Sequence, residues 1–213
     1  MDKLGLFPIG AVLFPGAELP IHVFEPRYRK LIVQSVQDAK PFGINQISTD
    51  KFYEIGCSVQ VAKILHTYED GKIDLVVRGL RRYVVRDIIE SDDSYWVGVV
   101  DYLEDVPELV DVLILTKCIS LYNEIATTIT SIDIPKLDPD SLITPVPSYH
   151  IAQKAGLNHK DKQTILEMRS ENKRLHFLYN HLKEIVPLLK EAEYLNQIIK
   201  NDGYYNPERF FNL

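Results

Sequence analysis

The stretch "PIHVFEPRYRKL", residues 20–31, changes character at its middle. Ile21, Val23 and Phe24 read as a short buried strand; Glu25-Pro26 interrupts it, and Arg27, Tyr28, Arg29 and Lys30 start a helix. Pro26 suits the first helical position, where its missing N–H would have had no intrahelical partner. Tyr28, Leu31, Ile32, Ser35, Val36 and Ala39 then recur at helical spacing and form one face, which predicts a helix over about 26–39. Two readings of the charges compete. In one, His22, Glu25 and Arg27 make a ligand or catalytic site. In the other, Glu25 acts as a cap-like acceptor for the early helix amides and pairs with an arginine of "RGLRR", Arg78, Arg81 or Arg82. A His–Glu pair with no third orienting group is weak evidence for catalysis. His22, Glu25, Pro26, Arg27, Arg78 and Arg82 are therefore assigned to a structural joint that aims the helix against a sheet.

Around this joint the first half reads as strands. "PFGINQI" (41–47), "CSVQVAKILH" (57–66), "KIDLVVRG" (72–79), "RRYVVRDII" (81–89) and "YWVGVVDYL" (95–103) are rich in β-branched and aromatic residues. Asp70-Gly71 supplies a hairpin turn between the second and third. Strands this short, closely connected, predict a small curled sheet or barrel. Alternation sends Arg81 and Arg82 to opposite faces, with Asp74, Asp87 and Glu90 as pairing partners.

After about Asp105 the period changes. "PELVDVLILTKCISLYNEIATTI" opens with Pro107, Glu108 and Asp111 and predicts a helix with Leu109, Val112, Leu115, Ile119, Tyr122, Ala126 and Ile129 as its apolar stripe. Residues 131–147, with four prolines, form a connector. "SYHIAQKAG" reads as a short helix capped by Ser148 and stopped by Gly156, and "DKQTILEM" as another. Ser170 to Lys200 is a long amphipathic pattern that Pro187 should kink or divide. The fold class is α+β, with a β-rich subdomain over 1–105 and a helical one over 106–213 that ends in an aromatic tail, "GYYNPERFF".

Composition narrows the function. The net charge is −6, and neither half is basic, which argues against a nucleic-acid partner. No apolar run approaches the roughly 20 residues of a membrane span, and "MDKLGLFPIG" lacks the features of a signal peptide, so a cytoplasmic location is expected. Cys57 and Cys118 lack a C-x-x-C context and are expected as reduced, buried thiols. Gly71-Lys72 is not a phosphate-binding loop, His176 and His181 are five apart and face different ways on a helix, and there is no G-x-S-x-G elbow. No enzyme, cofactor or metal is expected. A different possibility lies in "LFPIGAVLFPG" (6–16). Its prolines and glycines oppose regular strand pairing, so two readings stand: Phe7, Leu13 and Phe14 each close the barrel core, or as a patch, with Tyr28 beside it, they leave apolar surface open to a peptide or ligand.

The segment "LFPIGAVLFPGAELPIHVFEPRYRKLI" (6–32) closely resembles the opening of the Lon protease N-terminal domain, the LON substrate-binding domain. "FGI" (42–44), "IGCSVQVAKI" (55–64), "GKIDLVVRGLRRYVV" (71–85) and "VGVVDYLED" (97–105) fit the same family pattern, and "DKQTILEMRSENKRLHFLYNHL" is similar to it less specifically. The resemblance implies a PUA-like β-barrel followed by a helical bundle that recognises polypeptide. Without the ATPase and protease modules of full Lon proteases, a standalone, non-catalytic binder is expected. Its partners would be unfolded or extended polypeptide, with delivery to a separate protease or chaperone. The alternative is a module of cereblon-like kind that binds a small ligand or modified terminus between barrel and bundle.

Overall fold

The computed structural model describes residues 2–49, 51–90, 95–129 and 133–200. Strand-forming residues give β1 (Asp2–Ile9), β2 (Glu18–Val23), β3 (Phe42–Ser48), β4 (Lys51–Phe52), β5 (Ile55–Thr67), β6 (Ile73–Glu90) and β7 (Trp96–Tyr102). The helices are α1 (Pro26–Asp38), α2 (Val112–Thr128), α3 (Pro147–Ala152), α4 (His159–Glu167) and α5 (Glu171–Lys200). The class is α+β. Strands β1-β7-β6-β5-β3 are neighbours in that order, and a parallel pairing of β1 with β3, Leu6 opposite Gly43, closes the ring. Strand β2 lines the first half of β6, on the edge that β7 takes along its second half.

Segments 72–79 and 81–89, expected as two strands, form the single 18-residue β6. Gly79 lies inside it as a site of close approach instead of a break. Its N–H donates to Ala17 O at 2.8 Å, its carbonyl accepts from Gly16 N at 2.9 Å, and a Cβ would stand 2.2 Å from Phe14 O. The chain entering β2 thus crosses against β6 with no room for a side chain. The Asp70-Gly71 turn does join β5 to β6, with Gly71 at φ +80°.

Helix α1 buries Tyr28, Leu31, Ile32 and Ser35, as its spacing predicts. Val36 and Ala39 belong to the same arc but are exposed, because the last turn extends past the core. Ala39 takes a left-handed conformation, φ +52°, and its N–H and that of Lys40 bond the carbonyls of Val36 and Ser35.

In the helical half, α2 begins at Val112 because Asp111 caps it, accepting from Ile114 N at 3.1 Å. Residues 107–110 are therefore not helical. The buried face is Ile114, Cys118, Ile119, Tyr122 and Ile125, rotated from the expected stripe, and Leu109 and Val112 are exposed. Ser148 is not a cap; it is the second residue of α3 and buried. Asn123 of α2 pins the connector, donating to Leu137 O and accepting from Leu137 N. Helix α5 is continuous through Pro187, on whose exposed side Lys183, four residues earlier, also lies. The carbonyl freed by the missing N–H therefore faces the solvent side. The aromatic tail lies outside the described residues.

One apolar core crosses the whole molecule, from Phe7, Phe42, Val59 and Val77 in the barrel through Tyr149 to Leu175, Leu178 and Leu182 of α5. A smaller, separate cluster, including Leu4, Leu6, Tyr83 and Val100, packs on the opposite face of β1 from Phe7.

Candidate functional site

The joint residues do not converge. His22 Nδ1 lies 2.6 Å from Asp74 Oδ1, and Tyr68 donates its hydroxyl to Asp74 Oδ2 at 2.7 Å. Hydrogen bonds from His22 first, then Tyr68, hold the Asp74 carboxyl below the ordinary range. Glu25 departs from expectation. Its carboxylate takes a hydrogen bond from Arg27 Nε at 2.9 Å, caps no helix amide and meets none of the three arginines; its backbone carbonyl accepts from Tyr28 and Arg29 instead. Arg78 bonds Glu18 at 2.6 Å and Arg81 bonds Glu104 at 2.6 Å. These partners replace the expected Asp74 and Asp87; the Glu90 side chain lies outside the described residues.

Arg82, buried on the opposite face from Arg81, crosses to the helical half. It donates to the carbonyls of Leu166 (2.7 Å) and Met168 (2.6 Å) and pairs with Asp105. There it joins a cluster that sequence reasoning missed. Fully buried Arg174 bonds Asp105 (3.0 Å), Glu171 (2.6 Å), Ser148 (2.9 Å) and Met168 O (2.8 Å). Burial opposes the Arg174 charge, but the hydrogen bond to Asp105, the neighbouring Tyr149, and the charge and hydrogen bond of Glu171 outweigh it and raise the pKa. Arg174 spends its donors on partners within the protein, so this is a clasp and not a ligand site.

The apolar surface expected open is closed. Phe7, Leu13, Phe14 and Tyr28 are 6%, 4%, 1% and 9% exposed. Strand β1 stays paired through Pro8, opposite Asn45, so the prolines and glycines after it turn the side chains inward instead of freeing them. Phe7 packs on Tyr28 at 4.5 Å between ring centroids, and Phe14 stacks on Tyr149 at 5.3 Å.

The open surface is elsewhere, and the connection from α1 to β3 creates it. Only Ala39, Lys40 and Pro41 join them, so the end of α1 must sit where β3 begins. Strand β3 begins at Phe42, opposite Val59, and pairs with β5 only over Cys57–Val59. Strand β5 continues to Thr67 beside β6, so its outer edge from Gln60 onward has no strand partner among the described residues. Between that edge and α1 lies a groove of about 380 Å³ lined by Ser35, Val36, Ala39, Lys40 and residues 60–64. Val36 and Ile64 are each 47% exposed, and Leu65 is 52% exposed. Register shifts at Val61/Lys63 and Ile64/His66 bend the edge. On the outer face of the same stretch a second hollow, about 430 Å³, is lined by Glu18, residues 60–63, Val76 and Arg78. An edge strand with unpaired peptide groups beside exposed aliphatic side chains can take another extended chain as an added strand.

Burial pushes the Cys57 and Cys118 thiols up to about 12, so neither is poised as a thiolate. Among the described residues no three His, Cys, Asp or Glu side chains converge on a metal position. No helix among them is long and apolar enough to cross a membrane.

Residues 3–184 match the family profile of the ATP-dependent protease La (LON) substrate-binding domain. A Lon protease of Geobacter metallireducens is 25% identical over 218 aligned positions, covering 93% of this chain and 25% of that protein. Lon protease 1 of Hydrogenovibrio crunogenus is 21% identical over 94% of this chain and 26% of its own length. The chain thus spans about a quarter of the length of these curated relatives. Among solved structures, the Lon N-terminal domain protein from Xanthomonas campestris superposes with a TM-score of 0.66 at 24% identity, over 84% of this chain and 97% of that one. The N-terminal domain of the Mycobacterium avium complex Lon protease gives 0.68 at 17%, over 85% and 98%.

Proposed function

The chain belongs to the LON substrate-binding domain family, and from that premise we propose that it is a non-catalytic module holding extended apolar polypeptide in the groove between α1 and β5. The observation that carries this reading is the edge of β5 beyond Val59, which has no strand partner among the described residues, with Val36 and Ile64 exposed along it. Backbone hydrogen bonds to the edge would tolerate many sequences, and aliphatic contacts would supply affinity. Phe7 and Tyr28 serve the groove from beneath, anchoring α1 to β1. In this reading the bound segment passes in the cytoplasm to a separate protease or chaperone, and the molecule performs no chemistry on it.

The test is fluorescence anisotropy with labelled, extended apolar peptides against Ile64→Arg and Val36→Arg. Both positions are near half exposed, so folding stability should stay within about 0.5 kcal/mol of the parent. Affinity should fall about tenfold, the equivalent of roughly 1.4 kcal/mol. Unchanged affinity in both variants would move binding away from the groove.

The small-ligand alternative is favoured by one observation. A hollow of about 610 Å³, within the β-rich half and not between barrel and bundle as expected, lies on the other side of α1, lined by Gln34, Asp38, Tyr95 and Tyr102 among others, and falls in the size range of small-molecule sites. A metabolite that binds there without competing with peptide would establish it as a separate function.

A further inference from the structure

We infer that the groove selects extended segments that carry an aspartate or glutamate among their apolar residues, and that Lys63 is the side chain that reads the carboxylate. The inference rests on the peptide-groove reading of the β5 edge and adds the chemistry of the occupant.

Lys63 lines both the groove at the edge of β5 and the hollow on its outer face, so it stands where a chain laid along the edge must pass. It is exposed, and among the described residues it has no carboxylate partner. The other cations that line the groove and the outer hollow are already engaged: Arg78 holds Glu18 at 2.6 Å, and Lys40 holds Asp38 at 3.2 Å. The same pairs neutralise Glu18, which lines the outer hollow, and Asp38, which ends α1 beside the groove. Among the described residues that line the groove, Lys63 is therefore the uncommitted positive charge an incoming carboxylate meets, on a chain whose net charge is −6.

The position of this lysine also excludes a competing occupant. An edge strand is a template for a second copy of itself, and a lysine on the edge opposes that pairing by like-charge contact and by its solvation. A strand bearing a carboxylate turns the same charge into an attraction. Lys63 thus favours a foreign acidic strand over a second β5.

The experiment uses the full chain and three labelled octapeptides, identical and apolar except for a central Asp, Asn or Lys. At low salt the Asp peptide should bind about threefold tighter than the Asn peptide, and the Lys peptide weakest, the scale expected for one exposed ion pair. The order should flatten at high salt. K63E should reverse the order of the Asp and Lys peptides, and K63Q should abolish it with the Asn peptide unaffected. Equal affinities in the parent, or an unchanged order in K63E, would overturn the carboxylate selection while leaving the groove intact. Failure of all three peptides to bind would overturn the groove reading and this one together. Self-association of K63Q on sedimentation, without loss of the Asp preference, would assign Lys63 to blocking copies alone and also overturn it.

Discussion

Helices meet the barrel along two seams. Where α3, α4 and α5 approach β6, Arg82 and Arg174 reach the buried side and are satisfied by Asp105, Glu171, Ser148 and two backbone carbonyls. Where α1 approaches β5, strand pairing stops after three residues, and beyond it, among the described residues, lie a strand edge with no strand partner, the exposed Val36, Ile64 and Leu65, and the uncommitted Lys63. The first seam commits its charges inside the protein to fix one orientation of helices on sheet. The second leaves its hydrogen-bonding capacity facing outward. If the groove is where polypeptide binds, function resides at the seam that was left incomplete.

The largest effect expected from this contrast is at the closed seam. Arg174→Met removes the buried cation that Asp105 and Glu171 share and leaves Glu171 without a charge partner among the described residues. Breaking a buried pair from one side costs about 3–5 kcal/mol, because the remaining charge stays desolvated. Urea denaturation should show that loss, and adding Glu171→Gln should return part of it. A loss below about 1 kcal/mol would mean that water reaches the cluster, and the contrast between the seams would weaken.

A smaller effect, read by amide hydrogen exchange, lies within one strand. Residues 57–59 of β5 are paired on both edges, whereas 60–67 are paired on one. The outward amides of the second stretch should exchange from the native state, while those of the first exchange only with larger openings. Bound peptide should protect the 60–67 amides selectively. Equal protection along β5 without peptide would show that another segment already covers the edge.

Sequence made the elements legible more readily than the seams. Period-2 runs located most strands, and Pro26 located the start of α1 to the residue. Gly79 misled, because a glycine needed for close approach to Phe14 reads like a turn. Asp111 reads as an early-turn acid, although as the cap it sets where α2 begins and so which face is buried. The clasp joins Asp105 to Arg174, 69 positions away, and no local period reports such a pairing. Alternation did predict that Arg81 and Arg82 part company, which was the one available sign that an arginine faces inward. The open edge was harder still. It depends on where β3 starts pairing, and the apolar residues that looked most available, Phe7, Leu13 and Phe14, are those the core needs.

The smallest effect concerns a charge exposed like those of the open seam, yet tied in place. Asp74 stands on β6 directly between His22 of β2 and His66 of β5, with Tyr68 also bonded to it. Its folded pKa is depressed, by the His22 hydrogen bond first and Tyr68 second, with a smaller Coulombic contribution from His66. A depressed carboxylate binds fewer protons in the folded chain than in the unfolded one, so its contribution is present above the unfolded value of about 3.9 and is lost as pH falls through the lower folded value. The urea midpoint of the parent should therefore exceed that of Asp74→Asn slightly at pH 7, and the difference should shrink below about pH 4. A difference that persists unchanged in acid would mean that the row across β2, β6 and β5 is held by neutral hydrogen bonds, with the carboxylate charge adding nothing to the sheet beside the groove.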